Sequence, residues 1–91
     1  MELQWTNKAM SDLARLYEFL QPVNKPAAIN VVRSLTHGVT LLIDSPRLGE
    51  SLHQFDPRDV RRLQVGHYEI RYEIQKSAIF ILRLWHTRED R

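Results

Sequence analysis

Hydrophobic positions in the first half of the chain recur every three or four residues, which predicts two helices. The first is predicted over Asn7 to Gln21 and is ended by Pro22. The second is predicted to begin at Asn24, two residues before Pro26, and to end at Pro46. Their apolar positions are Met10, Leu13, Ala14, Tyr17 and Leu20, widened by Leu16 and Phe19, and then Ala28, Val31, Val32, Leu35, Val39, Leu42 and Ile43.

The hydrophobic period changes to two in the second half, which predicts strands. The segment from Arg47 to Pro57 lies between the two patterns and is expected to be a loop, with a short turn near Leu52. Two turns of two residues each then connect the strands as hairpins. The predicted strands are Val60–Val65, Tyr68–Gln75 and Ala78–His86, and the predicted turns are Gly66-His67 and Lys76-Ser77.

The last strand is apolar on both faces, which predicts a central place in the sheet. Its apolar sets are Phe80, Leu82 and Leu84 on one face and Ile79, Ile81 and Trp85 on the other. A central strand needs two neighbours, so the remaining candidate, Glu2 to Trp5, is expected beside it. The predicted fold is α+β: an N-terminal strand, an antiparallel helical pair on one sheet face, and a three-stranded antiparallel meander. The opposite face is expected to be partly open and lined by Glu69, Arg71, Glu73, Arg83 and Trp85.

Composition limits the classes of function that this chain can have. The 91 residues are 43% hydrophobic and 26% charged, which is typical of one folded domain and excludes a disordered chain. There is no cysteine, and the four widely spaced histidines predict no metal site and no cofactor. Neither a nucleophile elbow nor a phosphate loop is present. The longest apolar run, Ala78 to Leu82, is too short to span a membrane, and no targeting pattern opens the chain, so we expect a cytoplasmic protein.

Positive charge is concentrated after Pro57. Up to that residue five basic and six acidic side chains give −1, whereas the rest of the chain has eight basic and five acidic side chains and gives +3. Two interpretations fit this asymmetry: charges that solvate an exposed sheet face, or a surface for an acidic partner or nucleic acid. Aromatic residues are sparse beside these charges, which disfavours direct binding of nucleic acid. The basic cluster is Arg58, Arg61, Arg62 and Arg71.

The order of these segments resembles a known family. An N-terminal strand is followed by WTNKAMSDLARLYEFL, a helix ending in SPRLGESL, the hairpin VRRLQVGHYEIRYEI and the ending ILRLWHTREDR. Together these segments resemble the ParE/RelE superfamily, the toxins of bacterial type II toxin–antitoxin operons, over essentially the whole chain. The resemblance implies the same fold. It leaves two mechanisms open, because RelE-like members cut messenger RNA on the ribosome whereas ParE-like members poison DNA gyrase.

The nuclease pattern of RelE-like members matches this chain poorly. Those nucleases have lysines before the hairpin, where residues 50–55 have none, and an arginine where Glu69 stands. A carboxylate at that place would repel an RNA phosphate. Arg88 matches a catalytic arginine by position, and His86 matches the histidine of the YoeB-like branch, but Thr87 replaces the tyrosine of that branch. No catalytic residue is therefore assigned; if the chain is a nuclease, His86 and Arg88 are the candidates.

The ending resembles ParE-like toxins better, and in that branch the C-terminal strand and tail are linked to toxicity. The resemblance implies that target contact involves Trp85, His86, Arg88 and Arg91, with growth arrest through DNA gyrase as the outcome. The alternative interpretation of these residues is a tryptophan packed on the sheet and a solvated terminus. A toxin that retains only antitoxin binding is a third possibility.

The family also implies a partner. Its antitoxins are acidic, partly disordered before binding, and often carry their own DNA-binding domain, and such operons serve plasmid stabilisation. An acidic segment would suit the basic residues of the second half of the chain. The predicted antitoxin-binding residues are Arg58, Arg61, Arg62, Arg71 and Arg83.

Overall fold

The computed structural model describes residues 1–88 and arranges them as a sheet with two helices. Each predicted helix and strand is present, with bounds within about one residue of those expected from the pattern. A two-residue strand and a 3₁₀ turn lie in the segment expected to be a loop. The elements are β1 (Glu2–Trp5), α1 (Asn7–Leu20), α2 (Lys25–Asp44), β2 (Glu50–Ser51), the 3₁₀ turn (His53–Phe55), β3 (Asp59–Val65), β4 (Tyr68–Gln75) and β5 (Ala78–His86).

The sheet has the strand order β1-β5-β4-β3-β2. β5 is central, as predicted: β1 pairs with it in parallel on one side and β4 pairs with it antiparallel on the other. The α+β prediction is confirmed, with the additional strand β2 antiparallel to β3 at the far edge. A strand of two residues is too short to produce a periodic signal, which is why the sequence did not predict it.

Side-chain caps explain where the helices begin. The Thr6 hydroxyl accepts a hydrogen bond from the Ala9 N–H (3.1 Å) and donates one to the Ile81 carbonyl (2.7 Å), so the start of α1 is also tied to β5. The Asn24 side chain accepts from the Ala27 N–H (3.1 Å) at the start of α2. Neither helix among residues 1–88 is long and apolar enough to cross a membrane.

The predicted apolar face of α1 was wrong, because the face that is buried is rotated from it by part of a helical turn. The helix buries Ala9, Asp12 and Leu16 against the sheet, whereas Met10 from the predicted stripe is 57% exposed. The reason is a polar contact: groups of β5 donate hydrogen bonds to both oxygens of Asp12, so this carboxylate must face the sheet. The core cluster is Ala9, Leu16, Leu35, Val39, Leu42, Ile70, Tyr72, Ile79, Ile81 and Leu84.

The predicted alternation of β5 was also wrong. The pairing shifts between Arg71, which lies opposite Arg83, and Tyr72, which lies opposite Ile81, so β5 contains one extra residue at Leu82. This bulge places Leu84 on the same buried side as Ile81 and leaves the next residue on the opposite side of the sheet. A β-bulge has no period-two signature, so the pattern alone could not locate it.

Two glycines allow close contacts behind the sheet. A Cβ on Gly38 of α2 would lie 2.7 Å from the Cγ2 of Val65, so the missing side chain lets the helix approach β3. A Cβ on Gly49 would lie 2.6 Å from the Arg62 carbonyl oxygen. The Tyr72 hydroxyl accepts from the Gly49 N–H (2.8 Å) and donates to the Pro46 carbonyl (2.7 Å), which holds the segment before β2 against the sheet.

Candidate functional site

The end of β5 and the C-terminal half of α1 enclose a depression of about 640 Å³, which we call the tail pocket. Its floor is apolar and comes mainly from α1, while its rim is basic and aromatic. Two predicted target-contact residues, His86 and Arg88, lie in it together. The lining residues are Arg15, Leu16, Phe19, Leu20, Tyr68, His86 and Arg88.

His86 is held by its neighbours in the β4 hairpin and the tail. Its ring stacks on His67 with centroids 6.0 Å apart, and meets the edge of Tyr68 at 5.1 Å. Its Nδ1 accepts a hydrogen bond from the Arg88 N–H (3.1 Å), so in the neutral ring the proton is on Nε2. The Thr87 N–H donates to the His67 carbonyl (2.8 Å). These contacts fix the backbone path that brings Arg88 to the rim.

The apolar part of the tail pocket reaches the protein surface at Phe19. This side chain is 77% exposed, which is unusual for a large aromatic residue on a helix. Among the described residues, no carboxylate lines the pocket. Arg15, on the rim, has its Nη2 3.5 Å from the Asp12 Oδ1 and keeps about half of its side chain exposed.

Trp85 lies on the other side of the sheet, which we call the open face. It is only 6% exposed and lies 4.9 Å from the Arg71 guanidinium, which also contacts the Phe55 ring at 5.4 Å. The 3₁₀ turn therefore covers part of the face that was predicted to be open. Opposite Trp85 in the strand pairing is Glu69. The structure thus separates Trp85 from His86 and Arg88, which lie at the tail pocket.

Each arginine of the open face lies close to a carboxylate of the chain. Arg58 donates to both oxygens of the buried Glu73 (2.7 and 3.1 Å), and Arg62 contacts Glu50 at 3.1 Å. The hydrogen bond from Arg58 holds the pKa of Glu73 below its ordinary value, and the same bond raises the pKa of Arg58. The predicted cluster is therefore largely neutralised within the chain.

Arg71 also lies near a carboxylate of the chain, but at a longer distance than Arg58 and Arg62. Its Nη2 lies 3.7 Å from the Glu69 Oε2, while Arg62 reaches the other Glu69 oxygen at 4.0 Å. Among residues 1–88, the buried Arg71 Nε finds no hydrogen-bond partner. Its position between two aromatic rings compensates for part of that loss, because ring faces attract the guanidinium.

The remaining predicted antitoxin-binding arginines lie elsewhere. Arg61 is opposite Tyr72 in the pairing and binds Asp59 (2.9 Å) and the Gly49 carbonyl (3.0 Å). Arg83 donates to Asp12 at 2.7 Å, and this carboxylate also accepts from the Leu84 backbone N–H at 3.1 Å. Arg91, the last predicted target contact, lies outside the described residues.

An apolar groove runs along α1 on the side away from the tail pocket. Its volume is about 570 Å³, and it contains much of the stripe that was predicted to be core. Glu18 is its one charged lining residue among those described. The groove residues are Leu3, Trp5, Met10, Leu13, Ala14, Tyr17, Glu18, Val32, Thr36, Val39 and Thr40.

Sequence reasoning missed several residues that shape these surfaces. A carboxylate at position 12, between the buried Ala9 and Leu16, was a readable signal that α1 carries an inward acidic group. Phe19 was assigned to the core stripe, and its exposure depends on how α1 is rotated. Phe55 gave no signal, since its contact with Arg71 joins distant parts of the chain. Within residues 1–88, no group of His, Asp or Glu side chains could hold a metal ion.

Comparisons with known proteins agree over nearly the full length. The chain matches the family model described as "ParE toxin of type II toxin-antitoxin system, parDE" over residues 3–91. Among solved structures it is similar to one described as "Chromosomal ParDE TA system from P. aeruginosa", with a TM-score of 0.79 and 26% sequence identity. That match covers 94% of this chain and 95% of the other. No curated protein matches.

Proposed function

Because the chain belongs to the ParE toxin family, we propose that it arrests growth by inhibiting DNA gyrase and is neutralised by a cognate antitoxin. The observation that carries the proposal is the family match, which spans residues 3–91. The likeness to a ParDE structure at closely matched length supports it. In this proposal residues 1–91 act as one toxin domain in the cytoplasm, without a cofactor and without catalysis.

The tail is the proposed contact with gyrase. His86 fixes the Arg88 backbone through its Nδ1, so the Arg88 guanidinium is presented on an ordered segment. Trp85 is buried, and its proposed part is to pack against Arg71 and hold the end of β5 in place. Arg91 remains a predicted contact on the same tail.

The proposed antitoxin is acidic, carries its own DNA-binding domain and, when bound, represses the operon that encodes both proteins. Two features of this chain suit it. The apolar groove along α1 fits the apolar face of a helix or strand. Arg58 and Arg62 each keep about half of the side chain exposed and could meet acidic residues.

Arg61, Arg71 and Arg83 are weaker candidates for the antitoxin. Carboxylates of the antitoxin would compete with Asp59, Glu69 and Asp12 for these guanidinium groups. Their part in antitoxin binding therefore rests on the family resemblance.

One observation favours a second candidate, the ribosome-dependent messenger RNA endonuclease. The imidazole of His86, the phenol of Tyr68 and the guanidinium of Arg88 line one pocket, and such groups can move protons and stabilise a phosphate in RNA cleavage. Glu69, however, puts a carboxylate on the open face where the RelE-like pattern has an arginine.

A supercoiling assay with purified gyrase tests the proposal. The toxin should block supercoiling and, after a denaturing step, leave linear DNA, and addition of the antitoxin should reverse both effects. Heat-denatured toxin is the control. A folded toxin that arrests growth but leaves gyrase untouched would contradict the proposal, and cleavage of messenger RNA on ribosomes would then favour the endonuclease.

A further inference from the structure

We propose that the outer edge of β1 and the apolar groove beside it pair with the same surface of a second copy of this chain. The two β1 strands would run antiparallel, so that one sheet continues from one copy into the other. The inference concerns the toxin without its antitoxin and goes beyond the proposed function. Its test needs neither gyrase nor ribosomes, so the two can fail separately.

The backbone of β1 has an open edge. β1 is the first strand in the order of the sheet and has β5 on its inner side. The N–H groups of Glu2 and Thr6 donate to carbonyl oxygens of the turn before β5 and of β5 itself (2.9 and 3.1 Å). Because backbone groups alternate in direction along a strand, the N–H and C=O groups of Leu3 and Trp5 point outward. Within the described part of the chain, no backbone hydrogen bond engages these outward groups.

The apolar groove lies directly above this open edge. The side chains of Leu3 and Trp5 line it, so the residues that offer free backbone groups also form part of its wall. A strand that pairs with β1 would place every second side chain on the same face of the sheet, over the groove. Met10 also lines the groove and is 57% exposed. One contact would therefore pair the open backbone groups and cover apolar surface.

The sequence of β1 is self-complementary in one antiparallel register. If the two-fold axis passes through Gln4, Leu3 of one copy lies opposite Trp5 of the other, and the outward N–H and C=O groups of both residues pair. Gln4 then faces the same residue of the other copy and Glu2 faces Thr6, so no like charges lie directly opposite each other. β1 has only four residues, so the apolar contact must add to the backbone hydrogen bonds.

Charge favours a second copy over an acidic segment of an antitoxin at this surface. Glu2 is exposed beside the edge, and Glu18 is the one charged residue among the described residues of the groove, so an acidic segment would meet negative charge. A second copy does not bring Glu18 against itself. α1 runs along β5 from Ile81 toward His86, in the direction of β1. The two-fold axis reverses this direction in the other copy, so the two Glu18 side chains lie at opposite ends of the joined surface.

Disulfide trapping tests the register directly, because the chain has no cysteine. In Gln4→Cys the two thiols come from directly opposed residues whose Cα atoms lie about 4.5 Å apart, within the range of a disulfide. Glu2→Cys is the matched control: it lies on the same strand and face and is equally exposed, but its two copies would be about 14 Å apart, beyond that range. Under mild oxidation, Gln4→Cys should form about tenfold more covalent dimer than Glu2→Cys.

Sedimentation of the unmodified toxin, at concentrations up to about 100 μM, measures association without a covalent link. Leu3→Pro removes an outward N–H and leaves the bonds to β5 in place, which an edge strand tolerates. Leu3→Ala is its control, because it loses the same side chain but keeps the donor. The dissociation constant of the dimer should be about tenfold higher for Leu3→Pro than for Leu3→Ala. Thermal unfolding of both variants shows that they are folded.

The comparison of the two cysteine variants decides the inference. Both substitutions replace exposed side chains, so neither is expected to prevent folding. Preferential trapping of Gln4→Cys supports the inference whether or not the toxin inhibits gyrase. Equal trapping of both variants, or of neither, would overturn it. In that case a monomeric unmodified toxin would leave the edge and groove to the antitoxin, and a dimeric one would show that the copies associate through another surface.

Discussion

Two basic regions of this toxin differ in what their arginines bind. On the open face, Arg58 forms an ion pair with Glu73, and Arg62 forms one with Glu50. At the tail pocket, Arg88 lies beside an apolar floor with no carboxylate among the described lining residues. Arginines that look alike in the sequence therefore have different surroundings in the fold: Arg58 and Arg62 pair with glutamates of the chain, whereas Arg88 lies beside an apolar surface.

The difference shows why a count of arginines is a poor guide to binding. A guanidinium that already donates to a buried carboxylate gains less from a second acid, because displacement of the first acid would leave that carboxylate buried without its partner. We therefore expect changes to paired arginines and their acids to reduce stability, and changes to Arg88 at the tail pocket to reduce toxicity.

The largest effect on stability is expected at Asp12, the buried partner of Arg83. Asp12→Ala removes the acceptor of the Leu84 N–H and the carboxylate to which Arg83 donates, so the free energy of unfolding should fall by roughly 3 kcal/mol. Asp12→Asn keeps an acceptor oxygen and should lose about half as much. Urea denaturation of both variants measures this, and equal losses would show that the charge of Asp12 has no separate effect.

The uncharged hydroxyl of Tyr72 provides a comparison for the loss of stability expected in Asp12→Ala. Tyr72→Phe deletes the hydroxyl that binds the Gly49 N–H and the Pro46 carbonyl, which should cost about 1–2 kcal/mol. Chemical denaturation compares it with the Asp12 variants. A loss larger than that of Asp12→Ala would mean that the buried ion pair is the weaker of the two anchors.

The pair between Arg58 and Glu73 should appear as a dependence of stability on pH. Because Arg58 lowers the pKa of the folded Glu73, the pair stabilises the fold above about pH 4.3, the ordinary glutamate value, and this contribution is lost as the pH falls through the lowered pKa. Arg58→Ala should therefore be less stable than the unmodified chain at pH 7, with the difference narrowing toward pH 3. Thermal unfolding across that range measures it, and a constant difference would argue against the pair.

The smallest effect on stability is expected at Arg88. Its side chain is exposed at the end of the described chain, so Arg88→Ala should change the free energy of unfolding by no more than about 0.5 kcal/mol. Its backbone bond to His86 is kept in the variant. Growth arrest, by contrast, should be relieved. Denaturation measures the stability of this variant, and growth after induction measures its toxicity. A strongly destabilised Arg88→Ala would show that the side chain stabilises the fold.

Much of the fold followed from local patterns, because caps, breakers and periodicity act over a few residues. The start of α2 at Asn24 and the hairpin at Gly66, whose φ of 60° suits glycine, were both readable. The bulge at Leu82 and the rotation of α1 were not, since a bulge has no period of its own and the buried side of α1 is set by the contacts of Asp12 with β5. Long-range contacts of this kind leave no period in the sequence.

The candidate site was predictable only in part. The tail residues His86 and Arg88 were named from the family resemblance, and the structure brings them together. Phe19 and Arg15 join them only because α1 turns its C-terminal half toward the end of β5. The sequence showed the basic residues of the open face, but their glutamate partners within the chain became apparent only from the register of the strands.

The most direct test compares Arg62→Ala with Arg88→Ala in the gyrase supercoiling assay. Each variant removes one exposed or half-exposed arginine, the first from the open face and the second from the tail pocket. We predict that Arg62→Ala inhibits gyrase as the unmodified toxin does, whereas Arg88→Ala loses most of its inhibition while remaining folded. Full inhibition by Arg88→Ala together with loss of inhibition by Arg62→Ala would contradict it, because the open face would then be the surface that acts on the target.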